Sequence, residues 1–165
     1  MNTQLIEMLQ AADGRYLTRE EQQTMLRWSE GLSARFQAAT FIAAKEDVMV
    51  KEVIELLKAK YPNMGRYHAD GWEKGYRDMQ LVLRYMVRAM ILEDVQDLDD
   101  KLLYWFRTIL RAVNLTPKFI KDAYELLRQV CQRQLPADVF QRLDPVIVHT
   151  ISVLSDFPEP HIAAV

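Results

Sequence analysis

One stretch, residues 71–94, most constrains the fold of this chain. Its apolar side chains recur at steps of mostly three and four: Trp72, Tyr76, Met79, Leu83, Met86, Val87, Met90 and Ile91. That spacing places them on one face of an α-helix, so the stretch predicts a central helix with one buried side. On the polar side, Glu73 precedes Arg77 by four residues and Lys74 precedes Asp78 by four. This spacing predicts two ion pairs, each across a single helical turn.

The chain before this stretch predicts helices and no strand. Residues 4–12 predict a short amphipathic helix, and the capping-box sequence Thr18–Glu21 predicts the start of a long helix that reaches Lys45. Gly31 interrupts that helix, because glycine costs about 1 kcal/mol relative to alanine in a helix interior. Asp47 is expected to cap a separate helix that ends at Tyr61-Pro62.

The chain after residue 94 predicts three more helices. The first covers residues 98–113, and Thr116-Pro117 supplies the cap and first-turn proline of the second. Pro136 is expected to end that second helix. Asp144-Pro145 predicts the start of the last helix, which runs to Leu154.

Length and composition indicate one globular domain. The chain has 165 residues, half of them hydrophobic, which is enough to bury a core without disulfides. The expected domain is residues 1–155, followed by a flexible tail at 156–165. A net charge of −2 with interspersed signs disfavours a nucleic-acid partner. Neither a basic leader followed by an apolar run nor a transmembrane-length apolar stretch is found, so a cytoplasmic location is expected.

The sequence gives no positive sign of an enzyme or a metal site. The single cysteine, Cys131, excludes an internal disulfide and lies in an amphipathic run, where an inert buried thiol is expected. The histidines His68, His149 and His161 do not share metal-ligand spacing. No catalytic triad sequence, P-loop or dinucleotide-binding glycine pattern is present.

Short motifs resemble the phycobiliprotein family in their order and spacing. Three of them resemble the family signature Cys-x-Arg-Asp, Tyr-Tyr-Leu-Arg and Gly-Asp: Arg77-Asp78, Leu83-Arg84 and Glu93-Asp94. Three others resemble further family motifs: Arg15-Tyr16-Leu17, Leu98-Asp99-Asp100 and Leu115-Thr116-Pro117. The resemblance spans residues 4–155. It implies an all-α, globin-like domain with an N-terminal two-helix extension.

The resemblance also implies a ligand site. Family members carry linear tetrapyrroles (bilins) in the phycobilisome, the light-harvesting antenna of cyanobacteria and red algae. The pigment is joined by a thioether to the signature cysteine, its propionate contacts the Arg, and its pyrrole N–H groups donate to the Asp. By position, the last two roles pass to Arg77 and Asp78. The residues alone equally allow surface ion pairs with Glu73 and Lys74, so both interpretations stay open.

The sequence departs from the family pattern at the attachment sites. Gly75 occupies the position of the signature cysteine and cannot form a thioether. A second attachment site of some members is similarly replaced by Ala137-Asp138-Val139. Leu102, Tyr104 and Trp105 lie where the helix facing the pigment usually carries small residues. These three side chains are therefore expected to fill the pigment cleft from within, so that it is closed or reshaped.

Association with other proteins is the expected mode of action. Leu5 and Met8 need a surface to cover, either the chain's own body or a partner. The resemblance implies that Arg84 pairs across a subunit interface with an acid near Asp13, a site that also includes Tyr16. A homodimer or contact with phycobilisome subunits is expected through residues 4–36.

The resemblance thus favours a relative without covalent pigment that acts in phycobilisome assembly, turnover or regulation, peripheral to thylakoid membranes through the antenna. The first alternative is a protein that holds a bilin or another tetrapyrrole non-covalently, as a carrier or sensor. The second is a haem-free globin-like stress sensor without a link to the antenna. His68 could serve as a haem or metal ligand in a globin-like setting.

Overall fold

The computed structural model describes residues 2–63 and 70–159, which are helical and contain no strand. The helices in chain order are α1 (Thr3–Ala11), α2 (Arg19–Glu30), α3 (Leu32–Lys60), α4 (Gly71–Leu92), α5 (Val95–Leu98), α6 (Tyr104–Ala112), α7 (Pro117–Gln134) and α8 (Ala137–Leu154). Between α5 and α6, Asp99–Leu103 forms a π-helical turn. The all-α, globin-like fold class is confirmed.

The central helix packs as the apolar spacing predicts. The side chains of α4 that are at most 4% exposed are Met79, Val82, Leu83, Met86, Ala89 and Met90. They pack in a core to which α3, α7 and α8 also contribute. Within the two described ranges, no helix has the length and hydropathy that a bilayer span requires.

The first half of the chain corrects one predicted boundary. The predicted capping box is formed, since the Thr18 hydroxyl accepts from the Glu21 N–H and the Glu21 carboxylate accepts from the Thr18 N–H. The helix does not break near Asp47: α3 runs from Leu32 to Lys60 and begins directly after Gly31. Asp47 is an exposed mid-helix residue that pairs with Lys51 at 2.7 Å, a spacing that favours continuous helix.

The second half of the chain corrects another predicted helix boundary. Thr116 caps α7 as predicted, with its hydroxyl accepting from the Phe119 N–H at 3.1 Å. The last helix, however, begins at Ala137, with Pro145 inside it. Proline removes one helical donor, and burial of α8 side chains on both sides of Pro145 outweighs that loss. Asp144 accepts a two-point hydrogen bond from Arg128 of α7, at 2.5 and 3.0 Å, instead of capping a helix.

The N-terminal helices attach to the turn after α4. The Asp94 carboxylate accepts hydrogen bonds from the N–H and the hydroxyl of Thr3, both at 2.6 Å. The indole N–H of Trp28 donates to the Leu92 carbonyl at 3.2 Å. Arg35, which is 3% exposed, pairs with Glu93 and donates to the Trp28 carbonyl at 2.6 Å. The extension is thus held to the chain's own body at one end of the central helix.

Candidate functional site

A cleft lies beside the N-terminal half of α4. It has a volume of about 560 Å³, and its walls come from α3, α4, α6 and α7. Most of its lining is apolar, and the charged side chains among the described lining residues are Asp70, Lys74 and Asp78. A cleft of this size, mostly apolar with a few convergent polar groups, has the character of a small-molecule site.

Gly75 lines this cleft, which is where the resemblance places the vacant attachment position. A Cβ added to Gly75 would meet no atom within 4 Å. The position therefore faces open space and carries no group able to form a covalent bond. The only cysteine, Cys131, is fully buried and outside the cleft lining, and its burial raises the thiol pKa to about 12.

Asp78 turns its carboxyl group toward the same cleft. Desolvation raises its pKa above the ordinary value of 3.8, although the charge of Arg77 opposes the shift. The predicted pair with Lys74 is not formed, and no hydrogen bond to the Asp78 side chain is found among the described residues. A partly desolvated carboxyl of this kind is suited to accept hydrogen bonds from N–H donors of a ligand.

Arg77 lies on the outside of α4. Its side chain is 62% exposed and approaches the Glu73 carboxylate at 3.7 Å, so the predicted ion pair is formed. It is absent from the lining of the cleft. Successive helix residues differ in direction by about 100°, which separates Arg77 from Asp78. The structure therefore brings Gly75 and Asp78 together at the cleft but does not bring Arg77 to it.

The cleft is open, which corrects the expectation that bulky side chains fill it. Leu102 is 1% exposed in the core, while Tyr104 and Trp105 are 45% and 46% exposed on α6. None of the three lines the cleft. The reason is helical direction, since Phe106, Ile109 and Leu110 are the α6 residues that face it.

Aromatic lining residues were not predicted as a site. Trp72, Phe119 and Tyr124 line the cleft, and Phe119 packs edge-on against Tyr61 with ring centroids 5.0 Å apart. Burial and the nearby charge of Asp78 raise the pKa of the Tyr124 hydroxyl, so it stays protonated. One signal was available for Trp72: it precedes Gly75 by three residues, which puts both on one helix face.

The described histidine takes part in an internal contact. His149 Nε2 lies 2.7 Å from Asp99 Oδ1 on the π-helical turn, and the Asp99 side chain is 7% exposed. No group of three or more potential metal ligands occurs in residues 2–63 and 70–159. His68 and His161 lie outside the described residues.

The candidate interface residues divide into two groups. Leu5 is 2% exposed and covers the chain's own body, the first of the two surfaces considered for it. Arg84 is 63% exposed and forms a two-point pair with Glu46 of the same chain, with Nε–O distances of 3.1 and 3.0 Å. Met8 is half-buried, Asp13 is exposed and Tyr16 is 97% exposed. Leu5 is buried and Arg84 is already paired within the chain. Only Met8, Asp13 and Tyr16 therefore present a surface that a partner could cover without rearrangement.

The helix order defines an all-α, globin-like protein with a cleft beside its central helix. A family model described as Phycobilisome protein matches residues 7–154. The match covers most of the chain, so the chain belongs to the phycobilisome protein family. Membership supports a phycobilisome-related role, in assembly with other subunits of that antenna.

Proposed function

We propose that this protein acts in the phycobilisome by protein–protein association, in assembly, turnover or regulation, without a covalently bound pigment. The observation that carries the proposal is the low burial of residues 19–48. Only Arg35, Ala38 and Ile42 are buried in that segment, and α2 has no buried residue. A helical segment with so few buried residues gains little from its own chain's core, so contact with a partner would stabilise it.

The same segment exposes large apolar side chains. Leu26, Phe36, Phe41 and Val48 are 60%, 54%, 53% and 55% exposed. These four residues of α2 and α3 are together called the α2–α3 surface; Phe36 and Phe41, five residues apart, lie on different sides of α3. Aromatic side chains are enriched in protein interfaces and carry much of their binding energy. Tyr16, in the connection between α1 and α2, adds a further exposed ring.

Mass in solution tests the proposal. The 19.3 kDa chain is expected to form a dimer, or a complex with purified phycobilisome subunits, in light scattering coupled to size exclusion. The double variant Phe36→Asp with Phe41→Asp should stay monomeric and should not bind phycobilisome subunits. The matched control is Val148→Asp on α8, where the wild-type side chain is 45% exposed, and it should assemble as the wild type does. A wild-type chain that stays monomeric and binds no antenna subunit would refute the proposal.

The open cleft favours a second candidate function, non-covalent binding of a bilin or another tetrapyrrole. The support is the juxtaposition of Gly75 and Asp78 in a cleft of about 560 Å³. Asp78 would accept pyrrole N–H bonds, while Trp72, Phe119 and Tyr124 would pack against the conjugated system. Among the described lining residues, Lys74 is the cation that could meet a propionate.

Absorbance titration with biliverdin and with haem separates these functions. A carrier or sensor should shift the biliverdin spectrum with saturation, and Asp78→Asn should weaken binding about tenfold, since it removes a charge-assisted hydrogen bond. Arg77→Gln is the matched control, because Arg77 is outside the cleft lining, and it should bind as the wild type does. An unchanged spectrum at saturating pigment would reject this second candidate and leave the association role.

A further inference from the structure

A second exposed apolar surface lies on α6. Trp105 and Ile109 are each 46% exposed, and Val113, one turn later, is 44% exposed. Because these residues are four apart, they share one side of the helix, and the exposed Thr108 and Ala112 lie on that side too. These five residues define the α6 face. Ile109 and Val113 also line the cleft, so the α6 face adjoins it, while Phe106 and Leu110 on the next side of α6 are buried.

The segment that carries the α6 face is basic in sequence. Residues 101–121 contain five cations and no acidic residue, in a chain whose net charge is −2. Arg111 lies three residues after Thr108, which places it along one edge of the face, and Lys101 lies in the π-helical turn directly before α6. Neither forms an ion pair with the described residues. Arg107 differs, since it is engaged with the Val153 carbonyl and Asp156.

The Trp105 side chain of the face is held in place by its own neighbours. The indole N–H of Trp105 donates to the Lys101 carbonyl at 2.7 Å, and its ring packs edge-on to Phe106 at 5.9 Å. Little rotamer entropy remains to be lost on binding, which favours a specific protein contact. Thr108 and Ala112 are smaller than Trp105, Ile109 and Val113, and an alternation of small and large side chains suits the ridge of a second helix. A lipid surface would instead favour an unbroken run of large apolar side chains.

We propose that the α6 face binds an amphipathic helix of a partner protein whose apolar stripe is flanked by Asp or Glu. The apolar stripe would pack on Trp105, Ile109 and Val113, and the acidic flank would meet Lys101 and Arg111. Charge complementarity selects this class of partner, because the edge of the face carries positive charge that no described residue neutralises. The proposal does not depend on the α2–α3 surface.

The test uses the full chain and two synthetic helical peptides of about 18 residues, long enough to form several turns. Both carry Leu at i, i+3, i+4 and i+7 spacing; one has Glu and the other Lys at the flanking positions. Fluorescence anisotropy measures binding of each labelled peptide. The variants are Ile109→Asp and the pair Lys101→Glu with Arg111→Glu, and the matched controls are Val148→Asp and Lys45→Glu. Circular dichroism verifies that each variant folds. If Ile109→Asp does not fold, the surface variant Lys101→Glu with Arg111→Glu still tests the proposal.

The Glu peptide should bind with saturation, at least about tenfold more tightly than the Lys peptide, and more weakly as salt is raised. Either variant should weaken binding about tenfold, a typical cost for a central interface contact, with the controls unchanged. The proposal is overturned by no saturable binding up to about 1 mM peptide, by equal binding of the two peptides, or by unaffected variants. It is also overturned if Phe36→Asp with Phe41→Asp abolishes peptide binding. The same holds if the protein binds phosphatidylglycerol vesicles instead of the peptide and the α6 variants lose that vesicle binding.

Discussion

Replacing Gly75 by alanine tests whether this position faces open space within a regular helix. Gly75 is the fifth residue of α4, and its backbone is not among those with positive φ. A Cβ at this position would contact nothing within 4 Å. Alanine should therefore adopt the native conformation with neither a clash nor a new contact, so that only the backbone preference changes.

The expected gain follows from that preference. Glycine inside a helix is less stable than alanine by about 1 kcal/mol, chiefly because glycine has more conformations to lose on folding. Nothing in the surroundings offsets this, so the free energy of unfolding should rise by about 0.5–1 kcal/mol and the Tm by about 1–4 °C. Urea denaturation followed by circular dichroism measures it, with an unchanged m value as the sign that only stability moved.

The matched control is Gly14→Ala. A Cβ there also meets nothing within 4 Å, but the backbone has φ of 76°. Alanine is strained in that region by about 1–2 kcal/mol, so this variant should lose stability. If Gly75→Ala lost stability as Gly14→Ala does, a close approach at Gly75 would be needed to explain it. The description of an unobstructed cleft wall would then be wrong.

Three other outcomes are expected. Burial raises the pKa of Asp78, so the stability of the wild type should fall as pH rises from 3.8 through the raised value. The variant Asp78→Asn should therefore be more stable than the wild type at neutral pH. Urea titrations should show this difference vanishing below pH 3.8. Burial raises the pKa of Asp94, but hydrogen bonds from Thr3 and nearby N–H groups lower it overall. The stabilisation by the Asp94 carboxylate should be present at neutral pH and lost as pH falls below 3.8 through the depressed value. In the variant Asp94→Asn, the loss of stability at acidic pH should be smaller. A maleimide should leave native Cys131 unmodified, because the buried thiol with pKa about 12 is neither accessible nor ionised, and mass spectrometry should detect one adduct only after unfolding.

The sequence predicted the helical class and most helix ends because those depend on local chemistry. The apolar spacing of residues 71–94 gave the buried face of α4, and the capping box at Thr18 and the proline at 117 fixed two helix starts. Two local signals failed. Asp47 and Asp144-Pro145 have the composition of helix starts, yet each lies inside a helix whose burial on both sides outweighs the local preference.

The candidate site was predictable only in part. The absence of sulfur at Gly75 is a fact of sequence, and the adjacent Asp78 does face the cleft. Whether the cleft is open depends on the direction of side chains from another helix. Leu102 and Trp105 were expected in the cleft because of their volume, but the π-helical turn and α6 direct one into the core and the other outward.

The sequence by itself determined that this chain is an all-α relative of the phycobiliproteins and that no thioether can form at residue 75, since both follow from residue identity and spacing. The tertiary structure alone decided that the cleft is open, that Arg77 and Asp78 point in different directions, and that the α2–α3 surface and the α6 face are uncovered. The physical reason is that burial is a property of several helices at once. It depends on which sides of separate segments meet, and a single segment does not encode that.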